Sequence, residues 1–171
     1  MNDFLTALVY DAAGKYEQAA VAYERVILQP QAPVEVFANL SFIYWESGTQ
    51  QSIAAAEARP PALHDRPWQM CFRVIEAGLQ QYPEDLELSF WARYYPYRGI
   101  FDDFSAADCQ QLLLNCVNHN QTLIPYFFLS LFDEELYSVE IAHILADCRK
   151  CPTAKNRWIA SVLGYKPYYN S

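Results

Sequence analysis

Cations are scarce in this chain: Lys and Arg total 12 of 171 residues against 20 Asp and Glu, for a formal net charge of −8. That deficit excludes non-specific binding to nucleic acid or to anionic membrane surfaces, both of which need excess Lys and Arg. Long apolar runs are missing too. The most apolar stretch, Ile124 to Phe132, is far shorter than the ~20 residues that span a bilayer. The first residues contain Asp3 and no basic cluster, so no secretory signal is expected. The five glycines, at positions 14, 48, 78, 99 and 164, are scattered, and none belongs to a phosphate-cradling loop. Histidine is limited to His64, His119 and His143, and no serine lies in a nucleophile-elbow setting. No stretch sustains the two-residue alternation of a half-buried strand. Together these absences predict an all-α chain that is not an enzyme and carries no cofactor.

What is present is apolar and aromatic: 53% hydrophobic residues and 16% Phe, Trp and Tyr. A chain of this length and composition buries a sizeable core without staples. It is expected to form one helical domain over residues 1–164, with a flexible tail at 165–171. Five cysteines is an odd number, and with no secretory context reduced thiols in the cytoplasm are the simplest expectation.

The most informative stretch runs from Leu5 to Gly48. Phe4, Leu5, Leu8 and Val9 fall at helical spacing, and Gly14 suits the turn that follows. Tyr16, Ala19, Ala20, Tyr23, Val26 and Ile27 then recur at three- and four-residue steps, which places them on one helix face. Gln29-Pro30 and Ala32-Pro33 break that helix. A third helix echoes the first: Phe37, Leu40, Ser41, Tyr44 and Gly48 stand 34 residues after Asp3, Thr6, Ala7, Tyr10 and Gly14. This segment resembles the tetratricopeptide repeat family by Tyr10, Gly14, Tyr16, Ala19, Tyr23 and Pro30, then Phe37, Leu40, Tyr44 and Gly48. It departs from the family pattern where Asp3 and Thr6 replace large apolar residues and where Pro30 falls one place early. The resemblance covers the first third of the chain. It implies a right-handed α-solenoid of antiparallel helix pairs, with about nine or ten helices in all. It also implies a concave groove lined by the first helix of each pair: Phe4, Leu8 and Asp11, then Ala38, Phe42 and Trp45.

Beyond Gly48 the period is lost. Residues 49–58 read as a short Ala-rich helix, and the Pro-rich segment 59–67 as a loop. Further helices are expected from Pro67 to Tyr82, from about Glu84 to Pro96, after the near capping box Ser105-Ala106-Ala107-Asp108, after Thr122, from Val139 to Lys150, and from Thr153 to Gly164. Inward faces are assigned to Cys109, Leu112, Leu113, Cys116 and Val117, to Val139, Ile141, Ile144, Leu145 and Cys148, and to Trp158, Ile159, Val162 and Leu163. The dense aromatic set Trp45, Trp91, Tyr94, Tyr95, Tyr97, Phe101 and Phe104 reads mostly as core.

Four constellations bear on chemistry. Cys116 with His119, and Cys148 with Cys151, have the spacing of a three-thiolate, one-imidazole zinc site, although helical position makes core thiols the stronger reading. Cys148-Arg149-Lys150-Cys151 has dithiol spacing beside two cations that would favour thiolate, but lacks the βαβ context of a redox motif. Asp102, Asp103 and Asp108, and Asp133, Glu134 and Glu135, lie at links and helix starts, where capping accounts for them. Charge is uneven as well: net −4 over 1–83, −9 over 84–147 and +5 over 148–171. That pattern is what solvated helix faces produce, or an acidic surface that meets a basic partner. The expectation is therefore a protein–protein interaction module that buries an unidentified, basic peptide or helix in an aromatic groove. A zinc-stabilised helical domain and an accessory subunit of an enzyme stand as alternatives.

Overall fold

The computed structural model describes residues 3–56, 66–99, 102–115 and 122–164, with side chains 51–56 excluded. Among the described residues the chain is all-α, with nine helices and no strand: α1 (Asp3–Ala12), α2 (Tyr16–Ile27), α3 (Val34–Ala56), α4 (Pro67–Gln81), α5 (Leu86–Arg98), α6 (Ala106–Asn115), α7 (Ile124–Leu129), α8 (Ser138–Lys150) and α9 (Ala154–Gly164). No described helix is long and apolar enough to cross a membrane.

The local signals explain most boundaries. Gly14 adopts φ +73° between α1 and α2, the left-handed conformation that its missing Cβ makes inexpensive. Ala7 and Ala19 are fully buried and Ala20 nearly so, which lets α1 and α2 approach closely. Asp85 caps α5 by accepting the Leu88 N–H at 2.8 Å. Ser105 and Asp108 form a reciprocal box at the start of α6: the Asp108 N–H donates to Ser105 Oγ at 3.2 Å, and the Ser105 N–H donates to Asp108 Oδ2 at 2.9 Å. Thr122 accepts the Ile124 N–H ahead of α7, and Thr153 accepts the Asn156 N–H in the first turn of α9.

Four expectations are corrected. Gly48 does not end a helix; α3 continues through it to Ala56. The bareness of Gly48 serves packing, since a Cβ there would lie 2.8 Å from the Trp68 indole nitrogen. Pro96 does not end α5, which runs to Arg98 with the proline in its last turn. Val139 is exposed, and α7 stops at Leu129 before the exposed Leu131 and Phe132.

The core is a continuous aromatic body. Trp91 and Tyr95 of α5 stack at 5.2 Å, Tyr95 stacks on Trp45 of α3 at 5.6 Å, and Phe104 stacks on Phe128 of α7 at 5.0 Å. Edge-to-face contacts from Phe127 to Phe90 and Tyr94 join the two halves. The helix pairs α1–α2, α3–α4 and α8–α9 each pack together, and α9 also returns to pack on α3.

Candidate functional site

Position 11 of α1 is where a groove residue was expected, and Asp11 there is fully buried. Its carboxylate faces the start of α9. Asp11 Oδ1 accepts the Ala154 N–H at 2.6 Å, and Asp11 Oδ2 accepts the Tyr23 hydroxyl at 3.1 Å. The Asn39 amide donates to Tyr23 Oη at 3.3 Å and completes a buried chain from α3 to α9. A helix start carries unpaired N–H groups and the positive end of the macrodipole, so a carboxylate is well placed there. The other end of the contact is satisfied in return. Arg157 of α9 donates to the carbonyl oxygens of Ala12 and Asp11 at 2.9 and 2.8 Å, in the last turn of α1, and to the Tyr16 hydroxyl at 3.0 Å. Each helix thus caps the other.

The indole of Trp158 enters the recess that this docking creates. Its ring lies 5.6 Å from Phe42, 5.4 Å from Trp45, 5.9 Å from Tyr94 and 5.6 Å from Phe127. Ile159 beside it is fully buried. Lys155, one turn earlier on the same face, is also buried and forms an ion pair with Glu87 of α5. Glu87 also accepts from the Trp91 indole N–H at 3.2 Å and from the Thr122 hydroxyl at 3.5 Å. Desolvation offsets much of the attraction in a buried pair of this kind, whereas removing one partner would leave the other charge uncompensated.

Burial dominates the electrostatics. It raises the Asp11 carboxyl above its ordinary range, against the opposing pull of the Ala154 N–H, the Tyr23 hydroxyl and the Arg157 and Lys155 charges. Burial likewise raises the Tyr23 and Tyr95 hydroxyls, so both remain neutral donors.

The expected groove is therefore covered in this structure. Ala38, Phe42 and Trp45 are buried, with Phe42 and Trp45 only 1% and 3% exposed, because Trp158 and α9 lie over them. Phe4 and Leu8 are half-buried on α1. What stays open is a cleft of about 790 Å³ beside α9 and the start of α2. Phe42, Ile43 and Trp158 line it, with Lys15, Glu17 and Glu46 among its charged neighbours.

The other candidates fall elsewhere. Cys116 and His119 lie outside the described residues, as do His64, Phe101 and the tail 165–171. Of their partners in the alternative zinc reading, Cys148 is buried and Cys151 exposed, and among the described residues no three His, Cys, Asp or Glu gather as a metal cluster. The dithiol reading, already disfavoured by the sequence, gains no support at Cys148: burial pushes its thiol up to about 11, outweighing the Lys155 charge. Cys109 is pushed up to about 12 for the same reason. Asp102 pairs with Arg93 at 3.1 Å and Asp108 caps α6, so these carboxylates have structural employment. His143 is exposed on α8.

Lys155, Arg157 and Glu87 escaped the sequence analysis as a set. The available signal was Lys155 itself. It shares helical steps with Trp158, Ile159 and Val162, so the inward face of α9 carries a cation that must find a carboxylate. Comparison with protein-family models, with curated proteins and with solved structures finds no match to this chain.

Proposed function

We propose that this chain is a non-catalytic protein–protein interaction module, a tetratricopeptide-like right-handed solenoid that holds a peptide or helix of a partner protein in the cytoplasm. The observation that carries this reading is the open cleft beside α9, about 790 Å³ in volume, walled by half-buried Trp158 with buried Phe42 and Ile43 behind it and charges of both signs around them. An apolar centre supplies desolvated anchoring area, and a polar rim sets register and orientation. The seating of α9 supports the same reading. A basic, Trp-bearing helix already lies against these elements, which is the class of occupant an interaction groove would take. The non-catalytic part rests on the buried ionisable groups: Asp11, Glu87 and Lys155 are all engaged in docking α9. The cytoplasmic part rests on the four described cysteines, which are all free thiols.

The test is selection of peptides from a random display library against the full chain, followed by binding to Ser161→Trp. Ser161 is exposed and lines the cleft, so an indole there occupies the opening without entering the core. Selected peptides should compete with one another and lose about tenfold or more in affinity to the variant, the usual scale for blocking a central contact. The variant should melt at the wild-type temperature. Peptides indifferent to Ser161→Trp, or no enrichment at all, would contradict the reading.

A further inference from the structure

A second surface, away from that cleft, carries its own signal. The connection between α7 and α8 and the first turn of α8 expose four large apolar side chains within nine residues: Leu131 at 53%, Phe132 at 61% and Leu136 at 66% in the connection, and Val139 at 64% on α8. Single exposed apolar residues are ordinary, but a cluster marks an interaction site.

The cluster is held in place. The Phe132 ring lies 5.2 Å from buried Phe128, edge to face, so the patch is continuous with the core. The Leu136 N–H donates to Asp133 Oδ1 at 3.0 Å, and the Leu131 and Phe132 N–H groups donate to the Phe128 and Leu129 carbonyls. Tyr137 packs on Tyr126 and accepts from the Gln110 amide at 3.3 Å. A segment already ordered in this way loses little entropy on binding.

Its electrostatic setting selects the partner. Asp133, Glu134, Glu135 and Glu140 are interleaved with the four apolar residues, and no Lys or Arg occurs between Arg98 and Arg149. Arg149 lies ten residues along α8 from Val139, about 15 Å by helical rise. Symmetric pairing of this face with a second copy would oppose carboxylate to carboxylate, an arrangement that costs free energy.

We propose that the α7–α8 connection is a docking surface for a basic amphipathic segment of another protein, whose apolar side chains cover Leu131, Phe132, Leu136 and Val139 while its Lys and Arg residues meet the surrounding carboxylates. The surface is independent of the cleft beside α9.

The test uses the full chain and a synthetic peptide of Leu and Lys arranged to be amphipathic as a helix, read by fluorescence anisotropy. Binding should weaken about tenfold in Leu136→Ser/Val139→Ser, and by a similar factor in Glu135→Lys/Glu140→Lys. It should also weaken as salt rises, and be unchanged in Ser161→Trp. All four substituted patch positions lie at or near the surface, and the charge-reversal pair keeps the test decisive should the serine pair unfold. Binding untouched by either pair, or lost only in Ser161→Trp, overturns the proposal. Equal binding of oligolysine overturns it as well, since charge alone would then suffice. So does self-association of the free chain that Leu136→Ser/Val139→Ser abolishes, because a second copy would then be the occupant.

Discussion

At the scale of single residues, Asp11 carries the most weight. It is a carboxylate in the core, and its burial is offset by an amide, a hydroxyl and two nearby cations. Because its folded-state affinity for a proton is raised, the folded chain binds that proton more tightly than the unfolded chain does. The stability contributed by this site is therefore greatest at low pH and falls as pH climbs from the ordinary carboxylate range through the raised folded value. Asp11→Asn keeps an oxygen for the Ala154 N–H and removes the desolvated charge, so it should lack this pH-dependent component and gain stability relative to the wild type as pH rises. Asp11→Ala leaves the helix start and the Tyr23 hydroxyl without their acceptor and should cost about 1–3 kcal/mol. Urea melts of the three proteins across a pH series separate these outcomes; a pH profile of Asp11→Asn identical to wild type would contradict the assignment. Residues whose partners lie within one turn were readable from sequence, as the Ser105–Asp108 box illustrates. Asp11 was not, because its partner is 143 positions away. Gly48 was misread for a related reason: a glycine at a repeat offset looks like a helix stop, while its actual requirement is the close approach of Trp68 from α4.

Among elements, α9 is the one whose position does most to shape the cleft. Periodicity marks it as a helix with Trp158 and Ile159 inward, and says nothing about which surface receives them. The receiving surface is the face of α3 and α5 that includes Phe42, Trp45 and Glu87. Lys155 and Glu87 are both largely out of water, so removing one leaves the other buried and unpaired. Lys155→Met alone should destabilise by about 3–5 kcal/mol. The double variant Lys155→Met/Glu87→Gln should recover part of that loss, because no uncompensated charge remains. Chemical denaturation of both variants measures the difference, and a double variant less stable than the sum of the singles would contradict a paired burial. The boundaries of α2, α4 and α8 and the starts of α6 and α9 were open to sequence reasoning through Pro, Gly and capping residues. The length of α3 and the early end of α7 were not, since both depend on what packs against them.

In the molecule as a whole, the uneven charge has a structural meaning. The basic C-terminal part supplies α9, whose Lys155 and Arg157 are used internally, while Asp133, Glu134, Glu135 and Glu140 are interleaved with the exposed Leu131, Phe132, Leu136 and Val139. An all-α architecture could be anticipated from helical spacing alone, but the covering of Phe42 and Trp45 by a helix more than a hundred residues later could not. That covering is the central claim, and residue-resolved amide hydrogen exchange tests it directly. The Ala154 N–H sits at a helix start, where amides ordinarily exchange freely. It should instead be protected to a level comparable with the α3 core amides, and should lose that protection in Asp11→Ala. Free exchange at Ala154 in the wild type, with α3 still protected, would contradict the docking of α9.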